Sequence, residues 1–207
     1  MGEVSEAGER LKRKIEQLAR LLENKASERE IFEVIAGDKD PETSFDAIIN
    51  YFQQRVPWKE RILMPLSKHL FIVCKDGKPI VKAACGYEFG DFRINWKVFT
   101  KVIVRDTNES LEELYPPFMH ADPEWMEIRE YVCPGCGTLL AVEAVPPGYP
   151  PIFEFLPDIV TFYEKWLGRE FPCGKVEFKD LTNEYIMEVV RKKISIPEAK
   201  PSQAQGT

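Results

Sequence analysis

The 207 residues carry 34 acidic against 28 basic side chains, a net charge of -6. Such a chain repels phosphate backbones, which argues against a nucleic-acid partner. Hydrophobic residues make up 44% and charged residues 30%, a balance that predicts a folded globular body, and no run approaches the roughly 20 apolar residues a membrane span needs. The opening stretch, Met1 to Lys14, lacks the apolar core of a secretory signal. The five cysteines, Cys74, Cys85, Cys133, Cys136 and Cys173, are odd in number. Without a signal peptide they argue against a disulfide framework and for a reducing, cytoplasmic setting, where closely spaced thiols point to metal or redox chemistry.

Residues 6–36 are dense in Glu, Lys, Arg, Leu and Ala, with Leu11, Ile15, Leu18, Leu21 and Leu22 at helical spacing. Ser27 with Glu30 three residues on is a capping-box pattern for a second helix through Ile31, Val34 and Ile35, with Gly37 as its stop. Thr43 or Ser44 can cap a third, over Phe45–Gln54, ended near Pro57. This helical stretch either packs on the body or lays its apolar stripe on a partner. Leu70 to Val73 form a continuous apolar run, which suits a strand buried on both faces. Asp76-Gly77 is a hairpin turn, and Pro79 to Ala84 is the return strand, closed by Cys85-Gly86. Phe92–Val104 reads as a further strand region, residues 105–124 as loop, and Thr138–Val145 as a strand after the second cysteine pair. Asp158–Trp166 predicts a short helix ended by Gly168, and residues 181–193 a last helix. From Pro197 the tail is polar and expected to be disordered.

The strongest chemical signal is Cys133-Pro134-Gly135-Cys136-Gly137. Two thiolates separated by two residues can grip one tetrahedral ion, Gly135 allows the tight turn, and Gly137 lets backbone amides face the sulfurs. A redox pair of this spacing usually opens a helix in a βαβ setting; here a strand follows, which favours zinc. Cys85-Gly86 is the natural counterpart, so three thiolates are in hand. Cys74 falls several residues up the hairpin from Cys85, well over roughly 10 Å away at about 3.3 Å per residue, and reads as a buried core thiol. For the fourth ligand Asp91, in the loop after Cys85, is the first choice, with Glu88, His120 and Cys173 as alternatives. No phosphate-binding glycine loop, nucleophile elbow or paired His-Glu metal helix is present in the sequence, and there are only two histidines, His69 and His120.

Several motifs together resemble one family. Cys85-Gly86-Tyr87-Glu88-Phe89-Gly90-Asp91, Asn95-Trp96-Lys97, Ala121-Asp122-Pro123-Glu124-Trp125-Met126, Arg129-Glu130-Tyr131 and Cys133 to Leu140 are similar to the small gamma subunit of acetone carboxylase and to the related small subunit of acetophenone carboxylase. Val142-Glu143, Pro147 to Pro150 and Pro157-Asp158-Ile159 continue the match, which spans about residues 70–170. The resemblance implies a non-catalytic, zinc-containing subunit of an ATP-dependent ketone carboxylase, a ligase whose larger hydantoinase-like subunits bind the nucleotide and activate substrate and bicarbonate. An independent zinc hydrolase and a zinc-ribbon regulatory module are the competing readings. The expected architecture is α+β: a zinc-ribbon-like β body over 66–175, a helical region over 1–65, a carboxy-terminal helix over 176–196 and a disordered tail over 197–207. The expected metal ligands are Cys85, Cys133, Cys136 and Asp91.

Overall fold

In the computed structural model, residues 2–35 and 41–194 are described; the expected helix stop at Gly37 and the tail from Pro197 lie outside them. Two antiparallel sheets organise the chain. The first has four strands in sequential order, β1 (Arg61–Pro65), β2 (Leu70–Lys75), β3 (Lys78–Ala83) and β4 (Glu88–Asp91). The second has three, β5 (Lys101–Arg105), β6 (Glu127–Val132) and β7 (Leu139–Val145). Helices α1 (Gly2–Leu22), α2 (Glu28–Ile35) and α3 (Pro41–Gln53) precede the sheets, α4 (Asn108–Glu112) follows β5, and α5 (Ile159–Thr161) runs into a π-helical turn (Phe162–Trp166). Helix α6 (Thr182–Ile194) is the last described element. The fold is therefore α+β with a ribbon-like β body, as the sequence predicts. Among the described residues no helix is long and apolar enough to cross a membrane.

Strand β2 is covered on both faces. Leu70 and Ile72 join Leu63, Val81, Phe89, Ile159, Tyr163 and Leu167 in the larger core. Phe71 and Val73 turn the other way, to Ile62, Ile49, Phe52 and Trp58 beneath α3. A strand with helical layers on both sides has no polar face, which is why its apolar run is continuous. Its hairpin to β3 pairs Lys75 with Lys78. The two loop residues Asp76 and Gly77 have φ of 51° and 72°, the left-handed pair of the turn that best matches strand twist. Tyr163 seals the larger core by donating its hydroxyl hydrogen to the Leu63 carbonyl at 2.8 Å.

Helix ends follow local chemistry. Ser27 and Glu30 form the expected capping box: the Ser27 amide donates to the Glu30 carboxylate at 2.7 Å and the Glu30 amide to the Ser27 hydroxyl at 3.4 Å. Helix α3 starts at Pro41 rather than at Thr43 or Ser44, because proline suits a first helical position, where no amide hydrogen is needed. Gly168, at φ 60°, ends the π turn as a left-handed stop. The strand region expected from Phe92 contracts to β5, since Asn95 accepts from the Lys97 amide and starts a 3-10 turn at Trp96–Phe99.

Two linked expectations are overturned: that the odd cysteine count argues against disulfides, and that Cys74 is a buried core thiol. Cys74 is not a free core thiol: it is joined to Cys173 in a disulfide with an S–S distance of 2.13 Å. The odd cysteine count left one pair available after three sulfurs gathered elsewhere. What brings Cys173 back is its neighbour, Gly174, whose amide donates to the Gly77 carbonyl at 3.0 Å. A Cβ on Gly174 would stand 2.3 Å from that carbonyl oxygen, so only glycine permits the approach.

Candidate metal centre

The two knuckles lie at strand ends. Cys85 follows β3 in the turn to β4, where the Gly86 amide donates to the Ala83 carbonyl at 2.9 Å and Gly86 adopts φ 101°. Trp58 braces this turn: its indole N–H lies 3.2 Å from the carbonyl oxygens of both Ala83 and Ala84. Cys133 and Cys136 sit between β6 and β7. The Cys133 amide donates to the Thr138 carbonyl, the Gly137 amide donates to the Cys133 carbonyl, and Gly137 has φ 76°. Gly135 is not in the left-handed region; it is needed for space, because a Cβ there would lie 3.0 Å from the Tyr87 Cβ. That contact packs the second knuckle onto the first hairpin.

The result is one sulfur cluster built from both sheets. The Sγ atoms of Cys85, Cys133 and Cys136 all lie within 4.8 Å of one another, and Cys85 and Cys133 are 3.7 Å apart. Sulfurs bound at about 2.3 Å to one tetrahedral ion stand roughly 3.8 Å apart; Cys85 and Cys133 are at that spacing, and Cys136 lies within 4.8 Å of both. Cys133 is buried, whereas Cys85 and Cys136 are exposed. The thiols differ in acidity. Burial, opposed by the Tyr87 amide, pushes Cys85 up to about 11. The Thr138 hydroxyl and amide bring Cys136 down to about 7. A metal binds the thiolate form, so its uptake at this cluster releases protons.

The other candidate donors lie elsewhere in the network. Asp91 accepts from the Arg93 guanidinium at 2.7 and 3.0 Å and from the Arg93 amide at 2.9 Å; burial raises its pKa, but these bonds outweigh that and hold it below the usual carboxylate range. Glu88 is held by Lys75 at 2.6 Å and Lys82 at 3.2 Å. His120 lies beside Glu112 and the Ala121 carbonyl. Cys173 is spent on Cys74. The structure brings together the three cysteines and leaves Asp91 outside the cluster.

Behind the centre is a buried charge network that periodicity does not reveal. The Lys97 ammonium, with 2% of its side chain exposed, pairs with Glu143 and, at 2.9 Å, with Glu154. Tyr131 donates its hydroxyl hydrogen to Glu143 at 2.5 Å. These bonds tie the 3-10 turn to β6 and β7, and so set the strands that end in Cys133. Asn95-Trp96-Lys97 and Val142-Glu143 are legible in the sequence only as parts of the family motif.

Comparison with known proteins places this architecture. A family model described as the acetone carboxylase gamma subunit matches residues 56–167, the segment that holds both sheets and all three clustered cysteines. The acetone carboxylase gamma subunit of Xanthobacter autotrophicus (strain ATCC BAA-1158 / Py2) is 43% identical over 154 residues, covering 73% of this chain and 91% of the relative. The chain belongs to the acetone carboxylase gamma subunit family.

Proposed function

We propose that the chain is a non-catalytic, zinc-binding accessory subunit of a cytoplasmic, ATP-dependent ketone carboxylase of the acetone or acetophenone type, working beside larger hydantoinase-like subunits. The observation that carries the reading is the gathering of Cys85, Cys133 and Cys136 at metal-ligand spacing inside the segment matched by the gamma-subunit family. Soft, thiolate-rich tetrahedral sites select zinc over harder ions. Three thiolates also quench the Lewis acidity a hydrolytic zinc needs, so the ion when bound supplies a cross-link and not a reaction step. Cys85 extends from the first sheet and the Cys133–Cys136 knuckle from the second; one ion across them fixes the sheets relative to each other.

Asp91 stands outside the group formed by the three sulfurs and is paired with Arg93 at 2.7 Å. In the isolated chain we therefore assign the fourth position to solvent. Metal analysis of the purified chain, with absorption spectroscopy at the metal edge, tests this. About one zinc per chain, with three sulfurs and one light donor, is expected. Unchanged zinc in Cys133→Ser would refute the ligand assignment, and four sulfurs would refute the solvent position.

A further inference from the structure

The stretch between β5 and β6 is an arm with two properties that do not suit free solvent together. It displays large apolar side chains: Phe118 is 98% exposed, Trp125 75%, Met119 72% and Tyr115 42%. It also carries Asp106, Glu109, Glu112, Glu113, Asp122 and Glu124, and no lysine or arginine from 106 to 126, in a chain with 28 such residues.

The arm is ordered by its own bonds. Thr107 and Ser110 form a capping box at α4, and the buried Leu111 pins that helix. The Met119 amide donates to the Pro116 carbonyl, and the Trp125 and Met126 amides to the Asp122 carbonyl, each at 3.0 Å. Arg105 ties its base down through Glu130 and Glu113, both at 2.6 Å, and the Ser110 carbonyl at 3.1 Å. Phe118, at the tip, holds φ 64°, a left-handed conformation a bulky residue rarely adopts, and strain of this kind is characteristic of working sites. A rigid arm that holds out an aromatic side chain loses little entropy on docking.

We infer that residues 106–126 form a docking arm whose aromatic tip, Phe118, inserts into an apolar pocket rimmed by lysine and arginine on a larger carboxylase subunit. The inference rests on the accessory-subunit reading. The aromatic anchor supplies the affinity, and the acidic surround supplies steering and rejects acidic surfaces. The partner's chemistry follows from the arm: only a basic rim accommodates so many carboxylates around an anchor without repulsion.

The test measures binding of the full-length chain to the purified larger subunits at low and high salt. Phe118→Asn keeps a residue that tolerates the left-handed backbone and removes the ring. It is expected to weaken binding by about thirtyfold, the loss typical of an anchor residue, with the chain's melting temperature unchanged. Replacing Glu109, Asp122 and Glu124 together by Gln is expected to slow association at low salt and to converge on the unaltered chain at high salt. Wild-type affinity in Phe118→Asn overturns the arm and leaves the accessory-subunit reading standing. An unaltered chain that fails to bind overturns both. If light scattering finds a dimer of the chain that Phe118→Asn dissolves, the tip's occupant is a second copy and the inference is wrong.

Discussion

Replacing Glu143 by Gln should be among the most damaging single changes in the body of this protein. Gln fills the same space and can still accept the Tyr131 hydroxyl, so the change isolates the charge. The Lys97 ammonium is then left in a site where only 2% of its side chain is exposed, with Glu154, itself 66% exposed, as its remaining carboxylate. Removing one partner of a buried pair costs about 3–5 kcal/mol, because the surviving charge is stranded. The lower end, about 3 kcal/mol, fits here, since Glu154 still lends partial compensation. For a chain of this size that lowers the melting temperature by roughly 6–12 °C. Urea unfolding read by circular dichroism would measure it, with Lys97→Met and the double variant completing a cycle; the double variant should be more stable than the sum of the single losses by about 2 kcal/mol. Burial opposes ionisation of Glu143, but the bonds from Lys97 and Tyr131 outweigh it and hold its folded pKa below the ordinary glutamate value of 4.5. Its stabilisation is therefore present above that unfolded value and lost as pH falls through the lower folded one. Glu143→Gln should flatten the acid limb of the stability curve. A loss under about 1 kcal/mol, the range of an exposed pair, would refute the reasoning.

Three further outcomes follow from the same geometry. Gly135→Ala presses a methyl to 3.0 Å from the Tyr87 Cβ and should cost about 1–3 kcal/mol, with weaker zinc retention against a chelator. Reducing the Cys74–Cys173 bond, which spans 99 residues, should lower stability by about 2–4 kcal/mol, and peptide mass mapping without reductant should recover that linked pair. Cys133→Ser should lose zinc and destabilise the fold, because metal binding and folding are coupled at a structural site, whereas Asp91→Asn should leave zinc content unchanged.

How much of this was legible depended on range. Ser27 with Glu30, Asp76-Gly77 and the run from Leu70 to Val73 are decided within a few residues, by capping, turn sterics and double-sided burial, and each appears where the sequence predicts. The cysteine trio was legible because a two-residue spacing limits what a pair can do, and Cys85-Gly86 repeats its form. The Cys74–Cys173 bond was not: their 99-residue separation is bridged by a glycine contact, Gly174 on Gly77, that no local pattern announces. Strand β1 was hidden for a related reason. Arg61 to Pro65 has no clear alternation, since Ile62 enters one core and Leu63 the other. Asp91 attracted a ligand role by proximity in sequence to Cys85, but Arg93, two residues on, engages its carboxylate.

The most direct measurement is ketone-dependent ATP hydrolysis by the larger subunits, reconstituted with and without this chain. The account predicts no hydrolysis by the chain alone, full activity in the complete complex, and impaired activity when the chain is omitted or carries Cys133→Ser. Hydrolysis by the purified chain alone, or equal activity of a complex that lacks it, would contradict the account.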